Sequence, residues 1–137
     1  MDFLLRIWRG SADSPRFRVV CQFYRTARNT DTPELRGRRL LRRWLSEGQL
    51  AQFEAFKFFD VIGCHTARRY RVYYGTAANV EELDTAGRPT MRYCFVPKGD
   101  LVPGDVMLAQ KIALETQELS ALEVANRFPP HPQLPTR

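Results

Sequence analysis

Between Arg68 and Gly75 the side chains alternate in character residue by residue. Tyr70, Val72 and Tyr74 fall on one side of an extended chain, and Arg69, Arg71 and Tyr73 on the other. Successive side chains of a strand point to opposite faces, so this period of two describes a half-buried strand. Such a strand needs neighbours to pair with and a layer to cover its apolar face.

Neighbours are close at hand. Phe58 to Gly63 reads as a strand ended by Gly63-Cys64-His65-Thr66-Ala67, and Ala77 to Asp84 as another anchored by Val80. Asp84 to Arg88 reads as a hairpin loop, with Gly87 suited to a positive φ. Thr90 to Val96 then sets Met91, Tyr93 and Phe95 against Arg92, Cys94 and Val96 before Pro97-Lys98-Gly99-Asp100 breaks the pattern.

Two amphipathic helices can cover the sheet. Ser46-Glu47-Gly48-Gln49 is a capping box, predicting a helix through about Lys57 with Leu50, Phe53 and Phe56 toward one side. Pro103-Gly104-Asp105 predicts a longer helix from Val106 to about Asn126, with Asp105 as N-cap. Its stripe is Leu108, Ile112, Thr116 and Leu119, flanked by Leu114 and Leu122, and Glu115 follows Lys111 at helical ion-pair spacing. The expected fold class is α+β: an N-terminal helix, an antiparallel meander of three or four strands, and a long C-terminal helix packed on the sheet. One domain is expected over residues 40–127, followed by a proline-rich extended tail over 128–137.

Charge is distributed unevenly around that domain. The first 47 residues hold eleven Arg, no Lys and five acids, whereas residues 48–137 hold ten bases and ten acids. Residues 1–39 show no sustained period. Phe17 to Tyr24 suits one strand, and a short helix is predicted from near Pro33 through the arginines 36–43. An Arg-rich segment can be a nonspecific nucleic-acid arm. It can also be a targeting peptide, against which Asp2, Asp13, Asp31 and Glu34 argue. The favoured expectation is a disordered extension outside the fold, of the kind a misassigned start would add. No run reaches the ~18 apolar residues of a membrane span. Three cysteines without an export signal predict reduced thiols and a cytoplasmic protein.

The run Arg69-Tyr70-Arg71-Val72, Gly75, Asn79-Val80, Leu83-Asp84, Gly87, Cys94-Phe95 with Pro97, and Gly104-Asp105-Val106-Met107-Leu108-Ala109-Gln110-Lys111 resembles a recurring small domain of uncharacterised bacterial and phage-associated proteins. Leu114-Glu115 and Ala125-Asn126 extend the resemblance, which covers roughly residues 44–128. Its most specific element is Met107 to Lys111. The resemblance implies a domain boundary and no activity.

Chemistry-bearing residues are few. Cys64, His65 and Cys94 are the candidate metal ligands, but no Cys-x-x-Cys or His-x-x-x-His clamp exists, and a site would need Cys21 as well. Cys64 with His65 makes a nucleophile and base only if the turn curls them together, and no third group is evident. Neither a phosphate loop nor a nucleophile elbow is present. Asp84, Asp100 and Asp105 occupy turn or cap positions. No catalytic residue, metal or cofactor is therefore expected. The candidate binding face is Arg69, Arg71 and Tyr73 with Arg92, where guanidinium groups and a tyrosine can meet phosphates and bases. Phe58, Phe59, Tyr73, Tyr74 and Trp44 can instead form core or a protein contact. The expected function is a small non-enzymatic interaction or structural module, with a protein partner or homodimer. The alternative is nonspecific nucleic-acid binding through the Arg-rich arm and the Arg/Tyr face.

Overall fold

Thr32 and Pro33 open the first helix. The Thr32 hydroxyl accepts a hydrogen bond from the Leu35 amide at 3.3 Å. Pro33 sits in the first turn, where a missing N–H costs nothing. In the computed structural model, which describes residues 32–132, the helix α1 spans Pro33–Trp44, as the sequence predicts, and buries Gly37, Leu40 and Leu41. The boundary expected at Leu40 falls inside this helix. Arg36, Arg38 and Arg39, on the arm's side of that boundary, stand in the same helix as Arg42 and Arg43. The strand suggested at Phe17 to Tyr24 lies outside the described residues.

Helix α2 spans Glu47–Phe56 and forms the full capping box. The Gln49 amide donates to Ser46 Oγ (3.2 Å), and the Ser46 amide donates to Gln49 Oε1 (3.1 Å). Lys57, in the left-handed region at φ 61°, ends the helix by donating its N–H to the Phe53 carbonyl. The buried side is narrower than predicted: Phe53 is fully buried, but Phe56 is 65% exposed.

Five antiparallel strands follow in sequence order across one sheet: β1 (Phe58–Ile62), β2 (Arg69–Tyr73), β3 (Val80–Leu83), β4 (Pro89–Cys94) and β5 (Asn126–Phe128). The first four are the expected meander. The fifth corrects the count, because the last helix stops before Asn126 and the chain turns back to pair with β4. At the opposite edge, α2 closes the middle of β1. The Asp60 N–H donates to Gln52 Oε1 (2.8 Å), and Gln49 Nε2 donates to the Asp60 carbonyl (3.0 Å). Two side chains thus stand where another strand would pair.

Helix α3 spans Pro103–Val124. Its N-cap is Val102 rather than Asp105, which lies buried in the first turn, where the positive end of the helix dipole favours a carboxylate. At Gln117 the backbone leaves helical geometry (φ −151°, ψ 56°), so two helical segments meet at a kink. The buried side runs through Met107, Lys111, Leu114, Glu118 and Ala121 at unbroken three- and four-residue steps across the kink, offset from the expected stripe. Thr116 and Leu119, expected in the stripe, are exposed, while Ala121 and Leu122 are buried.

Helix α3 lies on β1 and β2, α1 packs on α3, and α2 packs on β1. Phe53, Phe59, Tyr70, Val72, Met107 and Leu114 form the centre of the core. A buried amide pair ties α3 to the sheet: Asn79 Nδ2 donates to Gln110 Oε1 (2.9 Å), and Gln110 Nε2 donates back to Asn79 Oδ1 (2.8 Å). Among the described residues no helix is long and apolar enough to cross a membrane.

The crossing of α1 over α3 depends on a pair of glycines. A Cβ placed on Gly104 would lie 2.3 Å from the Gly37 carbonyl carbon, closer than any real contact. Gly48, in the first turn of α2, has open space around the same position. The two alanine substitutions therefore act in opposite directions. Gly104→Ala should cost about 1–3 kcal/mol by overpacking, and Gly48→Ala should add up to ~1 kcal/mol by helix propensity. Urea unfolding of the two variants checks both signs.

Candidate functional site

The turn from β1 to β2 is built around a carboxylate. Gly63 and Arg68 close it (Gly63 N to Arg68 O, 2.8 Å), Ala67 adopts φ 59°, and the Cys64 amide donates to the Leu114 carbonyl at 3.1 Å. Glu118, the first residue after the α3 kink, is fully buried beneath the turn. Its carboxylate accepts hydrogen bonds from the amides of His65 (2.9 Å) and Thr66 (2.8 Å), from the Thr66 hydroxyl, and from the Tyr70 hydroxyl (2.5 Å). A Cβ on Gly63 would lie 2.2 Å from the Glu118 Cδ, so glycine is required for the carboxylate to enter.

Burial pushes the Glu118 carboxyl up, but the donors from Thr66, Tyr70 and the backbone outweigh it and hold the group below the ordinary glutamate value. Burial also pushes the Tyr70 phenol far above its usual value, and the neighbouring Glu118 adds to the effect.

The same turn changes the relation of Cys64 to His65. Side chains of adjacent residues diverge on an extended segment, but here the backbone is curled and they converge. Cys64 Sγ lies 3.3 Å from His65 Nδ1. The kink leaves two amides directed at the pair, Glu118 N at 3.5 Å from Cys64 Sγ and Leu119 N at 3.5 Å from His65 Nδ1. Cys64 and His65 are both exposed. Cys94 lies half-buried on β4, and Cys21 lies outside the described residues. Among the described residues no three His, Cys, Asp or Glu side chains converge as a metal site.

The face expected to bind is assembled on the other side of the sheet. Register places Asp60, Arg71, Glu81, Arg92 and Phe128 in one row across all five strands. Arg69, Arg71, Tyr73 and Arg92 therefore share a face, but the arginines alternate with acids. Arg71 pairs with Asp60 through two bonds, Nε to Oδ1 at 2.8 Å and a terminal nitrogen to Oδ2 at 3.2 Å. Arg69 Nε approaches the same carboxylate at 4.0 Å. Arg92 donates to the Pro129 carbonyl (3.0 Å) and meets His131 Nε2 at 2.8 Å. Glu81 is buried between Arg71 and Arg92 in the row.

Aromatic rings adjoin this row at the β1 edge. Phe56 stacks on Phe58 with centroids 5.3 Å apart, Phe58 meets Tyr73 edge to face at 5.5 Å, and the Arg71 guanidinium sits 4.1 Å from the Phe58 ring centre. Burial pushes the Tyr73 phenol up, and the Glu81 charge adds to it. The sequence reading singled out the bases of this face and missed the acids. The signal was present, since Asp60 and Glu81 occupy outward positions of the same two-residue period.

Glu118 also generates a pH dependence. A carboxyl whose folded-state pKa is depressed contributes its full stability above the unfolded value, and loses it as pH falls through the folded one. Glu118→Gln should cost roughly 2 kcal/mol at pH 7, because an amide cannot accept from every donor of the cradle. The gap between wild type and variant in urea midpoint should narrow below about pH 4.3, the ordinary glutamate value. A gap constant from pH 7 to pH 3 would mean that the ionised carboxylate carries none of the stability. Comparison of the chain with protein-family models, with curated proteins and with solved structures finds no match.

Proposed function

We propose that the protein is a non-enzymatic interaction module, and that it presents the Phe56, Phe58 and Tyr73 corner of its sheet to another protein surface. The observation that carries this reading is the pairing of Arg71 with Asp60 beside an aromatic ladder in which Phe56 is exposed and Phe58 and Tyr73 are half-buried. A bidentate guanidinium already bound to a carboxylate is a poor phosphate ligand. An aromatic corner with neutralised charge beside it suits a protein contact, where rings supply area at low entropic cost. Phe56, 65% exposed, and Ile62, 55% exposed, extend the apolar surface along β1. Residues 44–128, the stretch resembling a recurring bacterial and phage-associated domain, include the whole of this corner.

The nucleic-acid reading draws on a different observation: residues 1–31 contain six arginines and no lysine. It places the binding on that segment more than on the sheet, and counter-ion release makes it sensitive to salt.

A second copy is the first partner to test. Sedimentation of the full chain over a wide concentration range should show a mass rising toward the dimer. That association should persist at high salt and be lost in Phe56→Asp, a substitution at an exposed side chain that leaves the core untouched. A chain that stays monomeric, and that binds oligonucleotides in a salt-dependent way until residues 1–31 are removed, would replace this reading with the nucleic-acid one.

A further inference from the structure

Arg92 stands near the β5 edge of the sheet face, in the row that runs from Asp60 to Phe128, and the reading above makes no use of it. We propose that Arg92 is a pH-sensitive latch on the C-terminal tail. It holds Pro129 and His131 while the imidazole is neutral, and turns to the Glu81 carboxylate when the imidazole is protonated, releasing the tail.

The held position is the one the structure shows. Strand β5 ends at Phe128, and the residues after it return to Arg92. Arg92 Nε donates to the Pro129 carbonyl (3.0 Å), and a terminal nitrogen of the same guanidinium lies 2.8 Å from His131 Nε2. The guanidinium carbon stands 5.8 Å from the Phe128 ring centre. These contacts draw the group toward β5. A guanidinium has donors only, so His131 Nε2 accepts, and the proton of the neutral ring sits on Nδ1. Protonation of His131 turns that acceptor into a donor and sets two cations against each other. The contact cannot survive it.

The second position lies across the strand pair. Glu81 is the register partner of Arg92, so about 4.5–5.5 Å separates their Cα atoms. Glu81 is 8% exposed, and its Oε2 is buried with no hydrogen-bond partner among the described residues. On its other side the row offers Arg71, which already spends two bonds on Asp60. Tyr73 of β2 also faces the Glu81 charge, which with burial pushes its phenol up. Around the exchange stand Asp60, Arg71 and Tyr73 toward β1, and Arg92 and His131 toward β5. Of the two guanidinium groups in the row, that of Arg92 has no carboxylate partner among the described residues.

The two positions therefore compete for one guanidinium. A buried carboxylate oxygen without a donor is costly. Guanidinium bonds to a carboxylate are also stronger than those to a neutral carbonyl or imidazole. The tail is held against a competitor one side-chain rotation away, and loss of the His131 bond decides the exchange for Glu81.

Nitrogen-15 NMR of the full chain tests the latch. Between about pH 7.5 and pH 5.5 the histidines are the side chains whose ordinary values are crossed. The heteronuclear NOE of the His131 amide should fall over that range from a value typical of the sheet to that of a free chain end. The Arg92 Nε–H signal should move with the same midpoint. His131→Gln keeps an acceptor without a titrating ring, and should hold the tail equally at both pH values. Glu81→Gln keeps the shape and removes the competing charge, and should lower the release midpoint by ~0.5–1 pH unit. A His131 amide equally ordered at both pH values in the wild type, or a pH response that persists in His131→Gln, would overturn the latch. A release midpoint unchanged in Glu81→Gln would overturn Glu81 as the second position.

Discussion

One buried carboxylate joins the two halves of this fold. Glu118 belongs to the C-terminal helix, its donors belong to the β1–β2 turn and the start of β2, and the protein brings them together from 48 to 53 residues apart in sequence. A carboxylate taken out of water needs nearly all its lone-pair directions filled, or it protonates or stays outside. Here two amides and two hydroxyls fill them. The requirement reaches outward from there. It accounts for the glycine at 63, since any side chain would occupy the carboxylate's place. It also accounts for the hydroxyl on the buried Tyr70, whose ring would otherwise serve as well as phenylalanine.

The kink at Gln117 belongs to the same constraint. A straight helix would leave the Glu118 and Leu119 amides inside its own hydrogen-bond ladder. With the ladder interrupted, those amides face Cys64 Sγ and His65 Nδ1, while the carboxylate of the same residue holds the turn that carries them. Side chain and main chain of one residue thus grip one turn from below and from the side. The helix thus adds its hold on the turn to the bonds the turn makes itself, Gly63 N to Arg68 O and Ala67 N to Gly63 O.

Local chemistry explains which parts of this were legible in the amino-acid sequence. The Ser46 and Gln49 capping box, the Tyr70 and Val72 alternation, and the Gly87 hairpin depend on residues within a few positions of each other, and each stands where the pattern places it. Helix α1 was also legible, from Pro33 and the residues after it, but its membership of the domain was not. That depends on Gly37 meeting Gly104, a contact with no local trace. Strand β5 escaped because a short edge strand needs no apolar alternation, and its three residues are all exposed. Asp105 suits an N-cap, yet Pro103 starts the helix earlier and moves it into the first turn. The interruption at Gln117 has neither proline nor glycine to announce it, and the buried line through Met107, Lys111, Leu114, Glu118 and Ala121 includes a lysine and a glutamate, so apolar spacing alone put the stripe through Thr116 and Leu119 in the wrong phase.

The candidate sites follow the same division. Period two was enough to gather Arg69, Arg71, Tyr73 and Arg92 on one face, because alternation alone decides that. It could not show which bases were already matched, since the pairing of Arg71 with Asp60 is set by strand register. Register also decides what the face can do. An arginine row interleaved with acids has little long-range field to draw a polyanion, whereas the aromatic corner beside it acts only at contact distance. The overall positive charge of the chain is thus a poor guide to its sheet. The Phe56, Phe58 and Tyr73 corner stands at one end of β1 and the turn held by Glu118 at the other, so the two features are set by opposite ends of one strand.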